Sequence, residues 1–368
     1  MRRRQFLQMS AVVSAQLAIT ACSGNNEKAA GKAPVKGPSN SLAYVARGGG
    51  RSFGTAVNSG MLFTGGPGKQ AVLHECATVT PEWVFKWDWL ARNGKRYDFR
   101  ESDRIANFAR ANGKRIRGHT LLWHLGLPKW AAEELAQQRK WDLVEAHFDA
   151  VMGRYSDLVD QWDVVNEPIN IGTRNDGLRE NQFLAAFGPD YIEWALRAAH
   201  GRAPKSRNFI NEFNLEYNTP DEGRRRLALL KLVERLLAKG VPLHGVGLQA
   251  HLDLRKGKIW QDGVHGLLRD LSAMGLEVAI TELDVRENDI RQPTLKRDMM
   301  VADEVKRYLE TVLAFSAVKS VTTWGLSDRD SWLTYQPGGH PSNRGLPYDR
   351  DWQDKPMRGA ILGVLAQA

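Results

Sequence analysis

The feature that most constrains this chain is an alternation: after Gly50, short runs of β-branched and aromatic residues take turns with longer segments of helical period, eight times over. The spacing predicts strands over residues 52–57, 72–79, 115–120, 161–165, 208–212, 245–249, 277–281 and 318–324. Between them Val144, Phe148, Val151, Met152 and Tyr155 fall on one helical face, as do Leu227, Leu230, Val233, Leu236 and Leu237 ahead of Gly240. Further helices are expected over 295–315 and from Pro356 nearly to the end, proline being favoured in a first turn. Repeated βα units specify a parallel sheet. Eight of them make a (β/α)8 TIM barrel of the α/β class, in which chemistry gathers at the C-terminal ends of the strands. The rival is a doubly wound open sheet, but no glycine-rich phosphate loop follows the first strand, which counts against its nucleotide-binding forms.

The first 50 residues have a different character. Arg2, Arg3 and Arg4 precede an apolar stretch from Ala11 to Ile19, then Thr20-Ala21 before Cys22. A charged start followed by so short an apolar segment is a secretory signal rather than a membrane span. Arg3-Arg4-Gln5-Phe6-Leu7 resembles a twin-arginine export signal, and Ile19-Thr20-Ala21-Cys22 a lipobox that would place a lipid on Cys22. The only other cysteine is Cys76, so a lipidated Cys22 leaves no partner for a disulfide. Residues 1–21 are therefore expected to be a signal peptide and 22–50, rich in Gly, Ala, Ser, Lys and Pro, a flexible tether. Residues 51–368 are expected to form the barrel. The expected location is outside the cytoplasm, as a lipoprotein on the membrane in the periplasm or at the cell surface.

A formal charge of +9 raises nucleic acid as a partner. Three of those charges lie in the leader, however, and the other tight run, Arg224-Arg225-Arg226, opens a periodic helix and reads as a solvated face. No nucleic-acid motif accompanies it, so none is expected to bind. The excess suits an acidic polymer such as a glucuronate-bearing polysaccharide.

Two carboxylates stand at expected strand ends: Glu167 in Trp162-Asp163-Val164-Val165-Asn166-Glu167-Pro168, and Glu282 in Val278-Ala279-Ile280-Thr281-Glu282-Leu283-Asp284. A lone glutamate after a strand is more often a surface charge. Two of them, on strands four and seven, face each other across an eight-stranded barrel. Glycoside hydrolysis needs such a pair, one protonated to assist departure of the leaving oxygen and one ionised to attack or to activate water. A separation of about 5–5.5 Å means retention through a covalent intermediate, and about 6.5–9.5 Å means inversion.

With these stretches, and with Phe53-Gly54-Thr55-Ala56-Val57, Gly118-His119-Thr120-Leu121-Leu122-Trp123-His124 and Gly245-Val246-Gly247-Leu248-Gln249-Ala250-His251-Leu252, the chain resembles glycoside hydrolase family 10, the barrel xylanases. The resemblance runs from about Phe53 to Pro356, with the motifs in family order. It implies endo-acting, retaining hydrolysis of β-1,4-xylosidic bonds, with Glu167 as acid/base and Glu282 as nucleophile. It implies that Asn166 bonds the 2-hydroxyl of the cleaved sugar and that Gln249 and His251 flank Glu282. His119, Lys86 and Trp123 would line the same sugar's other edge, Glu82 and Trp83 would contribute from the loop bearing Lys86, and Trp324 and Trp332 would roof it. The counterpart of Trp332 crowds the space of a hexose hydroxymethyl, favouring xylose over glucose. Xylan or xylo-oligosaccharides would be the partners of a monomer without cofactor.

The chain departs from the family pattern in two places. Where the family has Glu-Asn-x-Met-Lys it reads Glu82-Trp83-Val84-Phe85-Lys86, and where the family has Trp-His-Ser-Gln it reads Trp123-His124-Leu125-Gly126. Both missing amides belong to the sugar one beyond the cleaved one. Stacking on Trp83 would replace polar grip, and Gly126 would open room for a substituent.

Other readings remain at this stage. The same mechanism serves β-glucanases and cellulases, and a tethered carbohydrate-binding protein without catalysis would also display tryptophans. A zinc site built from His119, His124 and His251 leaves the paired glutamates and tryptophans unexplained, so no metal is expected.

Overall fold

A computed structural model describes residues 39–368. The leader, Cys22 and most of the expected tether lie outside the described residues.

The eight barrel strands, in chain order, are Ser52–Val57, Thr78–Pro81, Arg115–Trp123, Val159–Asn166, Arg207–Glu212, Gly245–Leu248, Glu277–Arg286 and Val318–Thr323. Each pairs in parallel with the next, and the first pairs with the eighth, Ser52 opposite Ser320, which closes the ring. This is the expected (β/α)8 barrel. Strands covered by helices outside and packed inside carry apolar residues almost continuously, which is why Val159–Asn166 and Glu277–Arg286 are buried over most of their length. A short extra strand, His251–Asp253, pairs with the end of the seventh strand, His251 opposite Asp284. The helix Asp142–Tyr155 buries Val144, Phe148, Val151, Met152 and Tyr155, the predicted face.

Three expectations are corrected. Residues 72–79 are not one strand: Pro67 in the first turn starts a helix, Pro67–Glu75, that holds Val72 against the core, and pairing begins only at Thr78. The tether does not extend to residue 50, because Leu42–Gly48 is a helix. Ser41 caps it by accepting from the Tyr44 amide, its Leu42 amide donates to Glu75 Oε2 at 2.8 Å, and Leu42, Ala43 and Ala46 are buried. A single apolar face only seven residues long was hidden among small residues.

The third correction concerns the arginine run. In the helix Pro220–Ala238 the buried face is Ala228, Leu229, Leu232, Val233 and Leu236, while Leu227 is exposed. Arg224 is solvated, but Arg225 and Arg226 are buried. Arg225 donates to Glu212 and to the Ile169 carbonyl, and Arg226 to the Leu215 and Tyr217 carbonyls. Their guanidinium faces lie over Phe213 and Trp260. Hydrogen bonds to carbonyls and a carboxylate, together with stacked aromatic partners, make burial of these cations tolerable even though Arg226 Nη2 is left without an acceptor.

Candidate active site

Glu282 is buried and lies within the seventh strand, which continues four residues past it. Asn211, near the end of the fifth strand, donates from Nδ2 to Glu282 Oε1 at 2.7 Å and to Asn166 Oδ1 at 2.9 Å, and accepts at Oδ1 from the Thr281 hydroxyl at 2.7 Å. Gly247 on the neighbouring strand leaves space for this amide, since a Cβ there would come within 2.2 Å of Asn211 Oδ1. On the other side, His251 bridges Glu282 Oε2 at 3.3 Å through Nε2 and Asp284 Oδ1 at 2.8 Å through Nδ1. Ala250, with φ +60, turns the chain between Gln249 and His251 and starts the short strand that holds this ring.

The electrostatics follow from that arrangement. Burial disfavours the Glu282 carboxylate, but the His251 hydrogen bond and the nearby His119, His251 and Lys86 side chains outweigh it and hold the group down at about 2. Burial likewise disfavours the His251 imidazolium, and Asp284 and Glu282 on either side hold it up to about 10. The pair is thus a carboxylate and an imidazolium at neutral pH.

Glu167 is half-buried and sits one residue beyond the fourth strand with φ +55, a left-handed conformation uncommon outside glycine. Its amide donates to the Asn211 carbonyl at 2.8 Å and its carbonyl accepts from Arg179 at 2.7 Å, so both sides of the residue are anchored. Strain held by such anchors is characteristic of functional positions. Gln249 Nε2 lies 3.3 Å from Glu167 Oε1. The Gln249 side chain, expected to flank Glu282, thus makes its hydrogen bond to the other glutamate, and it is the Gln249 carbonyl that bonds Glu282, accepting from its amide at 2.9 Å.

The remaining predicted residues gather round the same mouth. His119 is buried with Nδ1 3.1 Å from Asp163 Oδ2, and Asp163 is itself paired with Arg117 inside the barrel. Trp324 meets both His119 and His251 edge-on, at centroid distances of 5.3 and 6.3 Å. Trp332, from the loop after the eighth strand, lies 4.9 Å from the His251 ring and donates from Nε1 to Asp284 Oδ2 at 2.5 Å. Lys86 is buried between the indoles of Trp83 and Trp123. Glu82 accepts from Asn58 at 3.2 Å, and burial pushes its carboxyl up despite that bond and nearby Lys86. The room expected at Gly126 is not open in the direction a side chain would take: a Cβ there would lie 3.2 Å from the Trp123 ring and 3.6 Å from Lys86 Cβ.

Asn211, Asp163, Asp284 and Arg117 organise this site and had no role in the sequence reading. A signal existed for the first three, because a charged or amide side chain within an apolar barrel strand must be paired. Among the described residues, no group of three or more His, Cys, Asp or Glu is arranged to hold a metal ion.

Residues 41–364 match the model of Glycosyl hydrolase family 10. The chain belongs to that family. Endo-1,4-beta-xylanase 3 of Hypocrea jecorina is 33% identical over 85% of this chain and 82% of its own length. Endo-1,4-beta-xylanase B of Paenibacillus barcinonensis is 30% identical over 84% of this chain and 94% of its own. The crystal structure of xylanase 10B from Thermotoga petrophila in complex with xylobiose superposes with a TM-score of 0.79 at 28% identity, covering 89% of this chain and 97% of that one. The family match begins at residue 41, where the first helix is capped.

In this family 10 site His251 is the main device holding Glu282 ionised, which leads to a prediction. His251→Asn removes the hydrogen bond and the cation while leaving burial, which favours the neutral acid. Glu282 then takes up a proton at higher pH, and the acidic limb of kcat/KM moves upward by about 1–3 pH units. A pH–rate profile in which that limb stays in place would show that His251 does not set the ionisation of Glu282.

Proposed function

We propose that the protein is an exported endo-1,4-β-xylanase acting with retention, with Glu167 as acid/base and Glu282 as nucleophile. The observation that carries this reading is the pair itself: one buried carboxyl held at about 2 by His251 and its neighbours, and one half-buried carboxyl just past the end of the fourth strand. In the first step the Glu282 carboxylate attacks the anomeric carbon, and the proton on Glu167 passes to the departing glycosidic oxygen. The glycosyl ester that results removes the negative charge from Glu282. Glu167, now ionised, takes a proton from water as its hydroxyl oxygen bonds to the anomeric carbon, releasing Glu282. Asn166, fixed by Asn211, serves the 2-hydroxyl, and Trp324 and Trp332 cover the sugar.

Support for xylan over other β-glycans comes from the family and from relatives named as endo-1,4-β-xylanases. The test is digestion of glucuronoxylan, followed by fragment sizing and by NMR of the newly formed reducing ends. Internal cleavage with β-anomers formed first is expected. Inversion, or faster cleavage of cellulose than of xylan, would overturn the reading.

The lipid anchor on Cys22 and the twin-arginine route are part of the same proposal and rest on the leader sequence alone. Cys22→Ala is expected to move the enzyme from the membrane fraction to the soluble one. Retention on the membrane would sink the anchor.

A further inference from the structure

The Glu167 carboxyl is loosely held by its side-chain neighbours. Its Oε1 lies 3.5 Å from Asn166 Nδ2 and 3.3 Å from Gln249 Nε2, both long for hydrogen bonds to a carboxylate. A group that gives a proton to one oxygen and takes one from another is hindered by strong bonds to its own oxygens. Its place in the mouth is set instead by its backbone, which stands at φ +55.

One residue grips that backbone along its length. After Glu167 the chain runs out and back as a small hairpin, with Ile169 bridged antiparallel to Leu178 and the Asn170 amide donating to the Gly177 carbonyl at 2.8 Å. The return brings in Arg179, which meets the carbonyls of three consecutive residues. Its Nε donates to Glu167 at 2.7 Å, its amide to Pro168 at 2.7 Å and its Nη2 to Ile169 at 3.0 Å. Because Pro168 has no amide hydrogen, the peptide joining it to Glu167 can be gripped only through the Glu167 carbonyl.

The far end of this brace is rigid. The Ile169 amide donates to Glu212 Oε2 at 2.9 Å, and the Ile169 carbonyl also accepts from Arg225 Nη1 at 2.8 Å. Glu212 and Arg225 are buried and paired at 3.2 Å, and the Phe213 ring has the Arg225 and Arg179 guanidinium groups 4.5 and 5.8 Å from its centroid. Ile169 is therefore a fixed point, and the planar Arg179 fork ties Glu167 to it.

We propose that Arg179 is a positioning residue for proton transfer: by bracing the Glu167 carbonyl against the fixed Ile169 peptide, it keeps the Glu167 carboxyl in reach of the departing oxygen and then of the incoming water. Arg179 acts through Glu167, so this inference rests on the acid/base reading of that residue. An ammonium is a single point where the guanidinium is a rigid fork, so lysine does not reproduce the brace.

The experiment compares two aryl β-xylobiosides, one releasing phenol and one releasing the far more acidic dinitrophenol. Misplacing the acid is felt only where the leaving oxygen needs a proton. Arg179→Ala is expected to lose about 10–100-fold in kcat/KM on the phenyl substrate and less than about threefold on the dinitrophenyl one. On the latter kcat should still fall, since the glycosyl ester on Glu282 waits for a misplaced base. Azide should restore that kcat by attacking the anomeric carbon, forming the β-glycosyl azide and releasing the Glu282 carboxylate with no proton to remove. Arg179→Lys should follow Arg179→Ala, and it carries the test if thermal unfolding shows Arg179→Ala misfolded. Arg174→Ala, at the tip of the same hairpin where Arg174 pairs with Asp176, should match the wild type. Equal losses on the two substrates, no rescue by azide, wild-type rates in Arg179→Lys, or the same selective loss in Arg174→Ala would each overturn the proposal. If Glu167→Ala itself shows neither the selective loss nor the rescue, it is the acid/base reading of Glu167 that fails.

Discussion

Glu282→Gln is expected to lower xylan cleavage by about 10⁴-fold or more, the scale on which loss of a nucleophile is felt when the rest of the site is intact. The substitution keeps the shape of the side chain but removes the charge that its surroundings are built to meet. Asn211 Nδ2 and His251 Nε2 both donate to this carboxylate, at 2.7 and 3.3 Å, and an amide can accept with only one of its two ends. One donor is left facing an NH2 group. Circular dichroism and binding of xylotriose should report a folded protein that still takes up substrate. With Glu282→Gly and an aryl xylobioside, azide is expected to enter the vacated face and give a glycosyl azide of inverted configuration. Residual xylanase activity within tenfold of the wild type would remove Glu282 from its role.

The second large effect is selective. Glu167→Gln is expected to lower cleavage of xylan by about 10²–10⁴-fold, because the departing sugar oxygen then leaves without a proton. An aryl glycoside with an acidic phenol needs no such help in the first step. Its phenol should appear as a burst, followed by slow turnover as the glycosyl ester on Glu282 waits for water without a base. Equal losses on the two substrates, with no burst, would mean that Glu167 positions the chain and transfers no proton.

Much of this site was legible because the strand pattern and the chemistry coincide. Asn166-Glu167 and Thr281-Glu282 each follow an apolar run, so placing the strands places the glutamates, even though the seventh strand continues past Glu282 to Arg286. What could not be read depends on partners far apart in the chain. Arg225 and Arg226 look like surface charges until Glu212 and the Leu215 and Tyr217 carbonyls are folded beneath them. The Gln249 side chain was expected beside Glu282, and its hydrogen bond to Glu167, 82 residues away, leaves no mark in composition. The helix Leu42–Gly48 has only one short apolar face and is tied down by a hydrogen bond from its Leu42 amide to Glu75, 33 residues away. Gly126 looked like open room because a missing side chain says nothing of which neighbour moves in.

The pairing of the first barrel strand with the eighth sets a timetable for synthesis. Val318–Thr323, the partner of Ser52–Val57 on one side, emerges from the ribosome more than 260 residues after it. Throughout that interval the nascent sheet has two unpaired edges, each a template for the wrong strand. The ring can close only after Val318–Thr323 has emerged, so refolding from denaturant should pass through an open, association-prone intermediate whose lifetime shortens on dilution of the protein. A chain truncated before Val318 would leave both edges permanently open, and holding chaperones, rather than the native fold, would be its destination.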